Sequence, residues 1–335
     1  MKDLTLTVLR DFPGKRIAIL GDLVADQFLR GTISRVSREA PVFILRHDET
    51  ETLPGGAANA AANIASLGGT ASLVGLVGKD TNGSLLTENL ASTGVNCDLV
   101  VSSDKVSTTT KVRVLAAQHY AARQQVIRID YENTSEIGDD ILGQLRENLT
   151  KAAKNADAII VSDYGYGAAD PRLMETARRL SAEGNIPLIV DSRYRLRDLS
   201  DATTATPNQE EIETILGTDF TDADCDSLRD ELHLQALLVT CGNEGMLLVE
   251  RDKKPLRLEA VGGLEPVDVT GAGDTVIAVY GLGIASGLSF ADAAKIANHA
   301  GGLVVMKKGT ASVSAEELIR SLSTSSAEPA SQSAS

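Results

Sequence analysis

The chain has 335 residues, 43% of them hydrophobic, enough apolar material for one large α/β domain or two small ones. Its 32 basic residues against 46 acidic ones leave a formal net charge of −14, which repels a polyanion, so no nucleic-acid partner is expected. No run approaches the roughly 20 apolar residues of a membrane helix, residues 1–16 lack a leader pattern, and Cys97, Cys225 and Cys241 lie too far apart for a disulfide framework or a Cys-x-x-Cys site. These features predict a cytoplasmic protein with reduced thiols and no membrane contact.

Arg16-Ile17-Ala18-Ile19-Leu20-Gly21-Asp22 reads as a buried strand that ends on a carboxylate. From Phe28 to Leu53 apolar and polar residues alternate without a convincing helix, most clearly in Val42-Phe43-Ile44-Leu45-Arg46. The run from Pro54 to Gly68 opens an Ala-rich helix behind the pair Gly55-Gly56 and stops at Gly68. Asn59 and Asn63 fall one turn apart on that helix, where their amides can hold sugar hydroxyls. The same run reads equally well as a small-residue helix packed closely on a sheet. A second irregular stretch, Cys97 to Tyr131, contains the alternating segment Thr109–Leu115. Together, 28–54 and 97–131 predict a small separate sheet.

Ala158–Asp163, Pro187–Asp191 and Ala236–Thr240 repeat the form of the first strand. Alternation of such strands with helical segments predicts a parallel sheet wrapped by helices, with ligands collecting at the carboxyl ends of the strands. Between them, Thr206-Pro207-Asn208-Gln209-Glu210-Glu211 has the look of a capped helix start. Thr240-Cys241-Gly242-Asn243-Glu244-Gly245 reads as a hairpin turn before Met246–Val249.

Asp268-Val269-Thr270-Gly271-Ala272-Gly273-Asp274-Thr275 precedes the buried helical run Val276–Leu282. Gly271 and Gly273 leave backbone N–H groups free to approach an anion, where the helix dipole adds roughly half a positive charge. Asp274 beside them is positioned to accept a hydroxyl proton. Taken alone, Gly-x-Gly-Asp is more often a glycine turn with an acidic first helical residue. His47, His119, His233 and His299 form no close pair and read as surface or satisfied side chains rather than metal ligands. From Ser321 the composition turns to Ser, Ala, Pro and Gln, which predicts a folded domain over 1–320 and a disordered tail over 321–335.

Gly55–Asn59, Thr206–Glu211, Thr240–Gly245 and Gly271–Asp274 occur in the order that marks ribokinase-like (PfkB) sugar kinases. Gly21–Asp26, Ile33–Val42, Arg123–Asp130 and Lys308–Ser314 further resemble the kinase domain of heptose 7-phosphate kinase/ADP-heptose synthases, and the likeness runs from about Phe12 to Leu318. The resemblance implies a ribokinase-like three-layer α/β/α sandwich with a small β-sheet lid and a homodimer made through the lids. It implies transfer of the ATP γ-phosphoryl group, with Mg²⁺, to a hydroxyl of a sugar or sugar phosphate, D-glycero-D-manno-heptose 7-phosphate first among them. No His-x-Gly-His motif is present, so the chain by itself is not expected to make an ADP-sugar.

Residue by residue, the resemblance makes Asp274 the base and Gly271, Ala272 and Gly273 the cradle for the developing charge. Asn208 and Glu211 match the Asn-x-x-Glu motif, Glu211 acting on Mg²⁺ through water. Thr240, Gly242 and Gly245 match the nucleotide loop, and Asn298 borders the adenine pocket. Asp26, Gly55, Gly56 and Asn59 match sugar positions. Arg35 and Arg193 are placed to approach a substrate phosphate, although Arg193, Arg195 and Arg197 also read as a solvated loop. The chain departs from the heptose kinases at Asp163-Tyr164-Gly165-Tyr166-Gly167, where Tyr166 replaces a lysine, at Asp191-Ser192-Arg193 in place of Asp-Pro-Lys, and in a short insertion around Gln118-His119-Tyr120. Rival readings are a kinase for another sugar, a nucleoside or a small alcohol, and a catalytically silent sugar- or nucleotide-binding protein. A Rossmann dehydrogenase is disfavoured, since no Gly-x-Gly-x-x-Gly follows Gly21.

Overall fold

The computed structural model describes residues 3–118, 123–133, 137–263 and 265–325. In chain order the strands are β1 (Arg16–Gly21), β2 (Leu23–Val36), β3 (Phe43–Gly56), β4 (Thr70–Gly78), β5 (Val100–Ser103), β6 (Thr110–Ala117) and β7 (Gln124–Tyr131). They continue with β8 (Ala158–Asp163), β9 (Leu188–Ser192), β10 (Thr204–Ala205), β11 (Ala236–Thr240), β12 (Met246–Glu250) and β13 (Leu256–Leu258). The helices are α1 (Leu4–Leu6), α2 (Ala57–Ser66), α3 (Thr81–Ser92), α4 (Asp139–Ala153), α5 (Pro171–Gly184), α6 (Gln209–Leu216), α7 (Asp222–Glu231), α8 (Ala272–Ala285), α9 (Phe290–Val304) and α10 (Ala315–Ser325).

Nine strands form one sheet in the order β13-β12-β11-β10-β9-β8-β1-β4-β5. The pairs from β11 to β5 are parallel, and β12 and β13 add antiparallel at the edge. Alternation along β1 sends Ile17 and Ile19 into a core with α2, α8 and α9, and Ala18 and Leu20 into a second core with α4 and α5. A sheet covered on both faces needs apolar residues on both, which is why β1, β8 and β11 read as nearly continuous apolar runs. Gly21, last in β1, has no room for a Cβ: one there would collide with Ala57 of α2. The start of α2 is thereby pressed onto the end of β1.

The second sheet, in the order β3-β2-β6-β7, stands off the carboxyl end of β1 as the lid. Its extent differs from the expected 28–54 and 97–131. β2 begins at Leu23 and β3 ends at Gly56, because Leu23, Val24 and Ala25 are buried where the lid meets the body and show no alternation. Residues 97–109 contribute no lid strand, since Val100–Ser103 pairs with β4 at the edge of the large sheet.

The expected boundary at 320 is also corrected. Helix α10 runs through Ser325, with Leu318 and Leu322 buried one turn apart, a pairing that the Ser-rich composition masks. Residues 326–335 of the expected tail, and His119 and Tyr120 of the expected insertion, lie outside the described residues. Among the described residues no helix is long and apolar enough to cross a membrane. The three cysteines are free.

Candidate active site

Four strand ends, Asp22, Asp163, Asp191 and Thr240, approach one rim, but two of them are occupied with holding the chain. Asp22 is buried and accepts the backbone N–H groups of Tyr164, Tyr166 and Ala168 at 2.8, 3.0 and 2.9 Å. Burial pushes its carboxyl up to about 6 despite these donors. Asp163 accepts Ser192 Oγ at 2.6 Å and Arg195 Nη2 at 2.7 Å. Asp191 and Thr240 remain to face a ligand.

Helix α8 starts behind Gly271, whose φ of 77° is the left-handed conformation that glycine adopts without strain. A Cβ at Gly271 would also collide with Asn59 Nδ2, whereas one at Gly273 would meet nothing. The Ala272 N–H donates to the Val269 carbonyl at 3.2 Å, and the space beside Gly273 in the first turn of α8 is open. Asp274, one residue further, is 2% exposed. Its Oδ2 accepts Asn59 Nδ2 at 3.1 Å and its Oδ1 accepts Tyr164 Oη at 2.8 Å. Burial pushes the Asp274 carboxyl up to about 7; the two donors oppose the rise and the nearby Asp26 carboxylate adds to it. A carboxyl that changes state near neutrality, beside the open start of a helix, suits proton abstraction coupled to anion transfer.

Two cavities meet at this helix start. One of about 460 Å³ is lined by Asp26, Asp191, Arg193, Glu211 and Asp274 among others, under the lid residues Lys111, Arg113 and Arg128. The other, of about 200 Å³, runs between Thr240, Gly242, Gly245, Met246 and Asn298. Thr240, Val269, Ala272 and Gly273 line both, so a group bound in one can touch a group bound in the other there.

Asn208 caps α6, and with Glu211 it closes a capping box: Asn208 N donates to Glu211 Oε2 at 2.9 Å and Glu211 N to Asn208 Oδ1 at 2.9 Å. The ordinary capping role and the motif role fall on the same residues. Burial raises the Glu211 carboxyl, opposed by the Asn208 backbone N–H. Burial also raises Asp191 well above the usual range, with the Glu211 and Asp274 carboxylates adding to it. Among the described residues no group of three or more His, Cys, Asp or Glu is placed to hold a metal ion directly, so these carboxylates fit Mg²⁺ only through its water shell, where a hard cation would relieve their mutual repulsion.

Several expected residues fall elsewhere. Asn59 is buried and donates its amide to Asp274 and the Gly271 carbonyl. Asn63 is fully buried, bonded to Asn59 and the Val313 N–H. Arg35 is exposed near the distal end of β2, nine residues past Asp26 and thus about 30 Å along the strand; it does not reach the cavity of its own chain. Asp26 does line the cavity, but it is buried in an ion pair with Arg113, and Gly55 lacks the Cβ that would crowd its carboxylate. Gly56 lines the same cavity.

Of the three arginines after β9, Arg195 is paired with Asp163 and Arg197 with Glu231. Arg193 alone of the three lines the cavity, and it makes no ion pair among the described residues. Asn298 walls the second cavity with its Nδ2 donated to the Glu259 carbonyl at 2.7 Å. Residues missed from the sequence include Tyr164, Asp191, Lys111 and Arg113. Lys111 and Arg113 sit two apart on β6 and so share a face, a signal present in the alternating run. Lys111 Nζ lies 3.1 Å from Tyr166 Oη, bringing an ammonium to the position where the resemblance expects a lysine.

A family profile described as pfkB family carbohydrate kinase matches residues 16–317. "Bifunctional protein HldE" of Vibrio parahaemolyticus is 38% identical over 321 residues, covering 93% of this chain and 64% of that protein. Its counterpart in Chromohalobacter salexigens is 40% identical over 326 residues, covering 95% and 65%. The chain thus spans just under two thirds of the length of these relatives. Among solved structures, Arabidopsis thaliana ribokinase complexed with ribose and ATP matches with a TM-score of 0.71 at 21% identity, over 92% of this chain and 99% of that one. Escherichia coli phosphofructokinase-2 in complex with potassium matches with a TM-score of 0.76 at 19% identity, over 93% and 99%. These structures carry the fold, a ribokinase-like sandwich with a second small sheet. The chain belongs to the pfkB family of carbohydrate kinases.

Proposed function

We propose that this kinase transfers the γ-phosphoryl group of ATP to a hydroxyl of a sugar phosphate, with D-glycero-D-manno-heptose 7-phosphate the first acceptor to test. The observation that carries the reading is the buried Asp274 carboxylate in the larger cavity, one residue from the seam with the smaller, held by Asn59 on one oxygen and Tyr164 on the other. The larger, polar cavity takes the acceptor and the smaller one, walled by Met246, Val261, Val276 and Val305, takes the adenine. As the acceptor oxygen bonds to the γ-phosphorus and the bond to the β-phosphate oxygen breaks, Asp274 takes the hydroxyl proton. The Gly271–Gly273 segment faces the negative charge on the phosphoryl oxygens. Glu211 and Asn208 would hold hydrated Mg²⁺, which neutralises phosphate charge when bound.

Arg193 on the rim supplies a charge for the acceptor's own phosphate, supported by its making no ion pair among the described residues, whereas the lid cations Lys111, Arg113 and Arg128 are paired with Asp130 and Asp26. Lid-to-lid dimerisation is part of the same proposal. Its support is the exposed row Ile127, Ile129 and Tyr131 on β7, residues two apart on one face of an edge strand. A cytoplasmic location is proposed with it. ATP consumption against paired phosphorylated and unphosphorylated sugars, in wild type and Arg193→Ala, tests the reading. A preference for unphosphorylated sugars would assign the enzyme another acceptor.

A further inference from the structure

We infer that Tyr164 is a positioning residue for the transfer step, its hydroxyl fixing the Asp274 carboxylate in the orientation that faces the acceptor. The inference rests on Asp274 being the base. Asn59 Nδ2 donates to one oxygen of Asp274 and Tyr164 Oη to the other, so rotation of the carboxylate breaks one bond or both. With the Gly56 backbone N–H as a third donor, the four lone-pair directions of the carboxylate still leave one for an incoming hydroxyl proton. The two clamps come from different elements: Asn59 from α2, which packs beside α8, and Tyr164 from the loop after β8.

Tyr164 is itself fixed. Its backbone N–H, with those of Tyr166 and Ala168, is bound by the buried carboxylate of Asp22. The Tyr164 loop is therefore wound about a charge that belongs to β1. Its ring lies over Gly56, where a Cβ would stand 3.4 Å from two ring carbons. Burial and the Asp274 carboxylate hold the Tyr164 phenol well above its ordinary value, so it remains a donor and does not compete as the base.

A hydroxyl donated to a carboxylate favours the charged form. Removing it leaves Asp274 facing Asn59 from α2, Asp26 from β2 with its partner Arg113 from β6, and Asp191, Arg193 and Glu211 across the cavity. The remaining neighbours include three carboxylates that disfavour its ionisation, so the base must titrate at higher pH in Tyr164→Phe. One charge-assisted bond corresponds to about one pH unit.

The experiment measures kcat and KM against pH for wild type, Tyr164→Phe and Asp274→Asn, with ATP and the best acceptor. Expected for Tyr164→Phe is an acid limb of the kcat profile displaced upward by about one pH unit. At neutral pH kcat should fall roughly tenfold, with the KM for ATP unchanged, and it should recover toward wild type at high pH. Carboxyl titration of Asp274 by ¹³C NMR on the unliganded protein should show the same upward displacement without relying on turnover. An acid limb and an Asp274 titration that coincide with wild type, while Asp274→Asn is inactive, overturn the inference and leave the base intact. Near wild-type turnover in Asp274→Asn overturns both.

Discussion

Arg113 on β6 and Asp26 on β2 form a buried ion pair across two adjacent lid strands, directly beneath the lid and facing Asp274's cavity. Arg113 also lies over the Phe28 ring, 5.5 Å from its centroid. The pair ties two lid strands together where they line that cavity.

Breaking that pair from one side leaves a buried charge without a partner. Asp26→Ala should cost about 3 kcal/mol of stability and raise the acceptor KM, both read from urea denaturation and steady-state kinetics. Asp26→Ala with Arg113→Met should lose less stability than the single change, because the orphaned guanidinium is removed as well. Strict additivity of the two would show that the side chains do not interact.

Asp274 also links stability to pH. Its folded value, about 7, stands above the ordinary value of 3.8, so the folded chain holds a proton that the unfolded chain has released. The stabilising contribution is full below about pH 4 and is lost as pH rises through about 7. Asp22, raised to about 6, acts in the same direction. Asp274→Asn removes the cost of burying a charge, so it should melt above wild type at pH 8, by up to about 4 kcal/mol. The gain should shrink toward pH 5. A gain that is the same at both values would contradict the shifted titration.

Glu211 is both the closing residue of a capping box and the carboxylate nearest Asn208 in the cavity. Glu211→Gln keeps a side chain able to close the box, so its melting temperature should stay within a few degrees of wild type. The Mg²⁺ concentration for half-maximal rate should rise at least about tenfold. Early melting with unchanged specific activity would make the residue purely structural.

Arg193 and Arg195 make a matched comparison two residues apart. Arg193→Ala should lower kcat/KM for phosphorylated acceptors roughly ten- to hundredfold and leave unphosphorylated ones alone. Arg195→Ala should instead lower the melting temperature, because it strips the partner from the buried Asp163. Equal effects of Arg193→Ala on both substrate classes would remove it from the phosphate site.

The large sheet was legible because buried parallel strands must be apolar on both faces, so β8 and β11 begin and end where the apolar runs do. The α8 start was legible from the order of four motifs rather than from its glycines alone: Gly271 is required by its left-handed φ and by Asn59, while a Cβ at Gly273 would meet nothing. Asn59 was legible as a site residue but its bond to Asp274 was not, since the sequence does not tell which way a helix face points. Arg35 lies away from the cavity of its own chain because a 14-residue strand carries its far end outward, which the sequence segment alone does not show. Tyr164 was hidden, its function depending on Asp274, 110 residues later, and on a loop conformation set by Asp22.

The decisive measurement is phosphoryl transfer by Asp274→Asn on the best acceptor, paired with direct ATP binding. With Asp274 as the base, turnover falls by about 10² to 10⁴ while ATP affinity is retained. Turnover close to wild type, or a loss of ATP binding equal to the loss of rate, would contradict it.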